Sequence, residues 1–404
     1  MKIGHFSGAV FLIAGTTIGA GMLALPVTTA FIGFVPSLLI FMITWGVMLA
    51  SAFFFLDVNL VTKGEPNLIS MIHKTLGPWG KAIGWVTYLL LLYSLTAAYI
   101  AASASLLLSA LSSFLPFSIP SWVAPFILPA VFGAFIYLGT LGVDIVNRFL
   151  MIGKGLAIFL LISFLPSHVE GSFLLRADFK PLVMTVPVIV TSFGYHIIIP
   201  TLTTYMAHDK KKLRLALLTG SLIALILYLL WEAMILGTIP LEGTNGLIKA
   251  WKAGTSATEP LTKMFANPWI QLGAHFFPFF AIITSFLGVT LSLSDFLKDG
   301  FKLKKSFEGK LLAMCLTFVP PLVFVFSYQR GFMIALEYAG AFVAILLIFL
   351  PALMAWKIKK PTFYSTFFGR VCLVLVMLFA VAVIVVDVLE KFGYFEPLIS
   401  KYYV

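Results

Sequence analysis

The sequence predicts an all-α, multi-pass membrane protein with eleven transmembrane helices, built as an inverted repeat of five plus five helices with one helix appended. Three observations predict this fold class. Hydrophobic residues make up 61% of the 404 residues and charged residues only 11%, and the mean hydropathy of +1.05 is far above that of a soluble domain. Apolar segments long enough to cross a bilayer recur along the whole chain. The first and the sixth of these segments each contain a motif that interrupts a helix.

The apolar segments were bounded by taking about 20 residues for each span. The predicted spans are residues 6–30, 34–61, 80–112, 121–140, 145–166, 182–206, 213–239, 270–297, 310–327, 332–356 and 368–390. The first span follows Lys2 like a signal peptide, but it continues past Pro26 without a small-residue cleavage site, so we expect it to be retained. Cys315 and Cys372 lie inside spans, which favours buried thiols over a disulfide or a metal site.

The basic residues predict the orientation of the chain. The net charge of +11 does not indicate a nucleic-acid-binding protein, because the basic residues are separated by membrane spans and do not cluster on one soluble face. With the N-terminus in the cytoplasm, most of the 27 lysines and arginines fall on the cytoplasmic side, as the positive-inside rule requires. Eleven spans then place the C-terminus on the opposite side.

The positions of the two interrupted spans predict the domain organisation. One copy of the repeat covers residues 1–166, the second covers 182–356, and residues 367–404 form the additional helix and tail. Five is an odd number, so the second copy enters the membrane from the opposite side. Paired interrupted helices in two halves indicate a secondary transporter with its substrate site at the membrane midplane, and an inverted repeat supports alternating access.

The first break is the stretch GTTIGAGM at residues 15–22, which Pro26 follows. Its glycines weaken the helix, so backbone N–H groups are freed where lipid cannot satisfy them. At the start of the outer half-helix these groups favour an anion such as a carboxylate. The alternative is a packing seam of small residues between helices. The residues predicted to form the anion site are Thr16, Thr17, Gly19, Ala20 and Gly21.

The second break is the stretch TSFGYH at residues 191–196, which Pro200 follows. Thr191, Ser192 and Gly194 are predicted to supply freed carbonyls and hydroxyls. A carbonyl end beside aromatic walls suits an ammonium group joined to a flat side chain. The aromatic walls are predicted to come from Phe193, Tyr195 and His196. A lone intramembrane histidine is as often a packing residue, and that alternative stays open for His196.

The third and the eighth spans are predicted to complete the site. Tyr93 and Tyr99 are six residues apart and therefore point to different faces of a helix, so we expect only one of them to line the site. We assign Tyr93 to it, together with Ser285 of the eighth span. The ring of a substrate would then lie between the third, sixth and eighth spans.

Lys154 lies inside the fifth span, one or two turns from its inner end. One interpretation is that the side chain reaches back to the cytoplasmic surface. The other is that the amine contacts the broken first helix, exchanges a proton during the transport cycle, and occupies the place of a sodium ion. We therefore predict Lys154 as the proton-coupling residue.

Seven stretches, spread over nearly the whole chain, carry a resemblance to a known family. They are AGTTIGAGMLALP (14–26), LTAAYI (95–100), VDIVNRFL (143–150), PVIVTSFGYHIIIP (187–200), KLR (212–214), TSFLGVTL (284–291) and RGFMIALEYAG (330–340). In these stretches the chain resembles the bacterial hydroxy and aromatic amino acid permeases, particularly the tyrosine-specific transport proteins. That family belongs to the amino acid-polyamine-organocation superfamily, whose fold is the LeuT-type inverted repeat.

The resemblance implies uptake of an aromatic amino acid, driven by the proton gradient, across the bacterial inner membrane, with the C-terminus in the periplasm. Lys154 is similar to the lysine in the fifth helix of proton-coupled superfamily members. No nucleic acid, metal or organic cofactor is implied, and the coupling ion is the proton. Glu337, Ile197 and Ile198 stand where smaller residues are expected. The two isoleucines would narrow the pocket, which favours tyrosine over tryptophan.

Three alternatives remain open from the sequence. A sodium-coupled symporter is the nearest, and Lys154 discriminates against it, because a cation there would exclude sodium. A transporter that prefers tryptophan or phenylalanine is the second, and a passive channel is the third. A membrane enzyme is disfavoured, because no nucleophile–base pair or metal-ligand cluster occurs within the spans.

Overall fold

The structure is a computed structural model that describes residues 3–62, 64, 67–111, 120–138, 140–304, 306–328, 330–358 and 363–400. Within these ranges the regular secondary structure is entirely helical, which confirms the all-α prediction. The α-helices are α1 (Ile3–Thr17), α2 (Gly21–Thr29), α3 (Phe34–Val61), α4 (Leu68–Leu111), α5 (Ala124–Leu138), α6 (Thr140–Phe164), α7 (Gly171–Leu174), α8 (Leu182–Ser192), α9 (Ile199–Tyr205), α10 (Lys210–Thr238), α11 (Leu247–Ala253), α12 (Thr258–Met264), α13 (Pro268–Gly300), α14 (Phe307–Ser327), α15 (Gly331–Val343), α16 (Leu350–Trp356), α17 (Phe367–Lys391) and α18 (Glu396–Ile399).

Both predicted helix breaks are present. The first separates α1 from α2, whose axes differ by 52°. The second separates α8 from α9 and contains a short 3₁₀ turn at His196–Ile198. Pro26 lies inside α2 rather than at the break, whereas Pro200 opens α9, where its missing N–H costs no helical hydrogen bond. The glycines therefore make the first break, and the proline after it does not.

Among the described residues, nine helices are long and apolar enough to cross a membrane, or ten if α1 and α2 count as one bent span. The predicted span 121–140 corresponds to α5, whose 15 residues are fewer than the roughly 20 that cross a bilayer. The total of eleven and the boundaries of the two repeats therefore remain predictions, and residues 401–404 of the predicted tail lie outside the described residues.

Two helices differ from the predicted spans. The third predicted span begins at residue 80, whereas α4 begins at Leu68 and is kinked at Gly77, where φ is 78°. The tenth span contains a π-helical segment, Ala344–Phe349, between α15 and α16. Pro351, just after this segment, has no N–H for a helical hydrogen bond, and the Ser51 hydroxyl of α3 donates to the Leu347 carbonyl. A side chain from a distant helix thus bonds the backbone of the irregular segment.

The helix packing places the two breaks side by side in the centre of the bundle. Helix α2 packs on α8, and α1 packs on α10. A Cβ on Gly21 would lie 2.8 Å from Ser192 Oγ, so only glycine allows the start of α2 to approach the end of α8 so closely. Four further helices enclose the breaks. Helix α13 packs on both α6 and α4, and helix α15 packs on both α4 and α8.

Candidate substrate site

A cavity of about 410 Å³ lies between the two breaks, a volume typical of small-molecule sites. It continues along α1 toward the amino terminus, past Gly15 to Leu12 and Phe11. The residues of α2 from Met22 to Thr29 are all buried. The cavity is therefore open on the side of the bundle where α1 begins, called here the amino-terminal side, and closed on the side of α2.

Most of the predicted site residues line this cavity, although they come from four separate helical segments. At the breaks, both hydroxyl residues and glycines face it. The predicted residues that line it are Thr16, Thr17, Gly19, Ala20, Gly21, Lys154, Thr191, Ser192, Gly194 and Ser285. The structure shows where these residues lie, and their roles in substrate binding are proposals.

Tyr93, which was predicted to line the site, does not line the cavity. Its hydroxyl donates to the carbonyl of Leu316 on α14, 2.9 Å away, on the opposite face of α4 from the cavity. The cavity is lined instead by Tyr88, Leu92, Leu95 and Tyr99. Their spacings of four, three and four residues define one helix face. That periodicity, read from Tyr99, was the sequence signal that the choice of Tyr93 missed.

The three rings of the second break, which were predicted to form aromatic walls, also lie away from the cavity. Phe193, Tyr195 and His196 are fully buried and do not line the cavity. The ring of Phe193 packs edge-on against Tyr228 of α10, and the ring of His196 lies against Tyr195 and Phe55. The turn after α8 points these side chains into the core. His196 is thus a packing residue, and Ile197 and Ile198 face the cavity in place of the rings.

Backbone N–H groups at the first break are fewer than predicted. The N–H of Gly19 donates to the Thr17 carbonyl at 2.9 Å, and the N–H of Ala20 donates to Ser285 Oγ at 3.3 Å. Thr16 and Thr17 belong to the end of α1, so their N–H groups do not point into the break. Within the described part of the chain, the N–H of Gly21 makes no hydrogen bond. The available anion position is therefore the first residue of α2, at the positive end of its dipole.

Lys154 contacts the first break and does not reach the surface. Its side chain is 5% exposed, and Nζ donates to the Ile18 carbonyl at 2.9 Å. Ile18 follows directly after α1, so the amine occupies the gap between the two half-helices. A carbonyl of a broken helix is the kind of group that otherwise coordinates a sodium ion.

Tyr228 of α10 holds the two breaks together, and sequence reasoning did not select it. Its hydroxyl lies 2.6 Å from the Thr17 carbonyl and 2.8 Å from the Ser192 carbonyl. These carbonyls belong to the last residues of α1 and α8. The partners are 211 and 36 residues away along the chain. No local pattern could therefore have identified this tyrosine.

We expect Tyr228→Phe to loosen the two breaks, because the Ser192 carbonyl loses its donor and the Thr17 carbonyl keeps only the Gly19 N–H. Leaving a buried carbonyl unpaired costs about 1–3 kcal/mol, which thermal unfolding of the detergent-solubilised protein would report together with slower uptake. Tyr394→Phe is the matched control, since its ring is 69% exposed. Unchanged unfolding and unchanged uptake in Tyr228→Phe would contradict the bridging role.

Comparison with solved structures identifies the fold. The chain is similar to a manganese transporter of Eremococcus coleocola, with a TM-score of 0.57, 14% identity, and coverage of 96% of this chain and 87% of that chain. At this identity the likeness concerns the fold alone, and it confirms the LeuT-type fold with broken first and sixth helices. In the described ranges, no group of three or more His, Cys, Asp or Glu side chains could hold a metal ion.

Comparison with curated proteins identifies the family. The chain is 33% identical to tyrosine-specific transport system 2 of Haemophilus influenzae, over 96% of this chain and 97% of that protein. It is also 33% identical to a tryptophan-specific transport protein of Pseudomonas aeruginosa, over 95% of this chain and 94% of that protein. A model of the tryptophan/tyrosine permease family matches residues 2–387. The chain therefore belongs to the tryptophan/tyrosine permease family, whose members are multi-pass membrane transporters and not enzymes.

Proposed function

We propose that this chain is a proton-coupled symporter that takes up an aromatic amino acid, most favourably tyrosine, by alternating access across the bacterial inner membrane. The observation that carries the proposal is the cavity between the two broken helices, with the Lys154 amine 2.9 Å from the Ile18 carbonyl. The N-terminus is cytoplasmic in this proposal, so the amino-terminal side of the bundle faces the cytoplasm. The open cavity then corresponds to an inward-facing state.

The two ends of the breaks suit the two charged groups of an amino acid. The substrate carboxylate binds the N–H of Gly21 at the positive end of α2. The ammonium lies by Thr191, at the negative carbonyl end of α8, and near the Thr16 hydroxyl, which donates to Leu12 and therefore accepts from a ligand. The distance between the breaks is fixed by the Gly21–Ser192 approach, so both groups can be held at once.

The remainder of the cavity suits an aromatic ring. The face of α4 that carries Tyr88 and Tyr99 forms one wall, and Ile197 and Ile198 form another. Helix α13 forms the third wall. Its Ser292 hydroxyl donates to the Gly288 carbonyl at 2.8 Å, which leaves its lone pairs free to accept a phenol proton. This hydroxyl favours tyrosine, whose own hydroxyl needs a partner when buried.

Tryptophan is the alternative substrate. The relatives named above include one transporter specific for tyrosine and one specific for tryptophan. An indole is larger than a phenol and offers only an N–H donor, which Ser292 could also accept. The narrowing by Ile197 and Ile198 favours the smaller ring, and competition between the two amino acids decides the order.

The proposal is tested with purified protein in proteoliposomes. Labelled tyrosine is supplied with an imposed pH gradient or an imposed sodium gradient, and excess phenylalanine, tryptophan or leucine competes in turn. We expect accumulation with the pH gradient alone, blocked by the aromatic competitors and not by leucine. Accumulation only with sodium would overturn the coupling, and accumulation blocked best by leucine would overturn the substrate class. Equilibration without accumulation would indicate a passive channel.

A further inference from the structure

Glu232 is a carboxyl group buried in the core of the bundle, on the closed side of the cavity. Its side chain is 0% exposed. It lies on the face of α10 that follows α2. One turn before Glu232, the Tyr228 hydroxyl bonds the end of α1. Directly before Glu232, Trp231 Nε1 donates to the Met22 carbonyl of α2 at 3.0 Å. Glu232 itself bonds the hydroxyl of Thr29, the last residue of α2.

The hydrogen-bond inventory at Thr29 favours a proton on Glu232. A threonine hydroxyl has one proton to donate. The Thr29 hydroxyl lies 2.7 Å from the Leu25 carbonyl of its own helix and also contacts Glu232 Oε1. A carboxylate and a carbonyl are both acceptors only, so an ionised Glu232 would have to share the single Thr29 proton with the Leu25 carbonyl. If Glu232 is protonated, its O–H donates to Thr29 Oγ, the Thr29 O–H donates to Leu25, and every contact is satisfied.

Ser37 of α3 repeats the pattern on the other side of the carboxyl. Its hydroxyl donates to the Gly33 carbonyl of its own helix start at 2.7 Å. Its single proton is therefore engaged with the backbone. Glu232 Oε2 has no hydrogen-bond partner in the described ranges. The carboxyl is thus surrounded by groups that accept, and a second donor for an ionised form is missing.

No opposite charge compensates an ionised Glu232. The elements that pack on α10 are α1, α2, α3, α7 and the turn Pro166–His168. Asp57, the only charged residue of α3, pairs with Lys210 and Arg214 at the far end of α10. The remaining titratable or charged residues on or beside these elements are His5 on α1, His168 on the turn, Glu170 and Arg176 flanking α7, and Lys249 and Lys252 on α11 against α2. Within the described residues, none of these forms an ion pair with Glu232.

We propose that Glu232 is a second proton-binding site, distinct from Lys154, whose proton holds α2 against α10 and so keeps that side of the bundle closed. When α2 moves away, Thr29 no longer accepts the Glu232 proton, water reaches the carboxyl, and the proton leaves to that side. Protons on the α2 side thus favour closure. The proton returns to the side from which it came, so it gates the transporter without adding a transported charge. The role of the α2 movement as a gate rests on the proposed transport function, whereas the protonation of Glu232 does not.

The protonation is tested by infrared spectroscopy of the full-length protein at neutral pH. We expect Glu232→Gln to remove one band of a protonated carboxylic acid. Glu337→Gln is the matched control, because Glu337 is buried on α15 and accepts from Lys391 Nζ at 2.9 Å; its loss should remove a carboxylate band. Thr29→Val provides a second variant, which should shift the Glu232 acid band by deleting its acceptor. Loss of a carboxylate band in Glu232→Gln, or no shift in Thr29→Val, would overturn the proposal.

The closure is tested with a thiol on α2. Val27→Cys places a thiol at a position that is 0% exposed, in a protein whose Cys315 and Cys372 are replaced by serine. Labelling by an impermeant reagent added on the α2 side, divided by the labelling of the same variant unfolded at the same pH, should rise about tenfold from mildly acidic to alkaline medium. Glu232→Gln, whose amide still donates to Thr29, should abolish that rise. A rise that persists in Glu232→Gln would overturn the gating role, whereas failed uptake with the infrared result intact would overturn the proposed function only.

Discussion

Lys154→Ala is expected to lose accumulation of substrate driven by a pH gradient while keeping exchange of substrate across the membrane. The amine that fills the gap between α1 and α2 is the group that would carry the coupled proton, and its removal leaves the Ile18 carbonyl without its donor. An unpaired buried carbonyl costs about 1–3 kcal/mol, so the protein should still fold. Uptake with a pH gradient and counterflow without one, measured in the same proteoliposomes, separate the two effects.

Two variants sharpen this experiment. Lys298→Ala removes a lysine at the end of α13 that pairs with Asp295 near the surface, and it should leave uptake unchanged. Lys154→Arg keeps a cation that does not give up its proton, so it should also lose pH-driven accumulation while retaining the fold. Normal pH-driven accumulation in Lys154→Ala would rule out the coupling role. Loss of both accumulation and exchange would assign the lysine to the structure of the break instead.

Gly288→Leu is expected to abolish binding of an aromatic substrate without unfolding the protein. Gly288 lines the cavity on α13, and a Cβ built on it has no atom within 4 Å. A leucine side chain would therefore project into empty space that the proposal assigns to the substrate ring. Glycine inside a helix is about 1 kcal/mol less favourable than a good helix former, so stability should not fall. Uptake of tyrosine should drop about 100-fold.

Gly46→Leu is the matched control, because Gly46 lies within α3, away from the cavity, and also has nothing within 4 Å of a Cβ. It should leave uptake unchanged. Gly288→Ala adds a discriminating step, since a single methyl should reduce tryptophan uptake more than tyrosine uptake if the ring lies against α13. Normal tyrosine uptake by Gly288→Leu, with thermal unfolding unchanged, would place the substrate ring elsewhere.

The breaks and the placement of Lys154 at the first break were predictable because their causes are local. Glycines within a span weaken a helix wherever it packs, so the position of the first break follows from residues 15–22 alone. A lysine inside an apolar segment needs a polar partner, and its span already limits which partners it can reach. The family resemblance and the orientation of the basic residues are also properties of the linear chain.

The errors arose where a side chain could point either way. The choice of Tyr93 over Tyr99 depended on which face of α4 meets the cavity. Helix periodicity shows only that the two tyrosines lie on different faces of the helix. The rings at 193, 195 and 196 follow an irregular turn, which has no period to extrapolate. Their burial against Tyr228 and Phe55 is decided by packing between helices that are far apart in sequence.

The sequence by itself thus determined the membrane class, the two broken helices, most of the polar lining of the cavity and the place of Lys154, because composition and local backbone chemistry dictate each of these. Only the tertiary structure decided which aromatic face completes the cavity, that Tyr228 joins the two breaks, and that Glu232 meets the Thr29 hydroxyl of α2. These features are pairings between residues separated by up to 211 positions. Such pairings depend on how whole helices pack, which no single segment encodes.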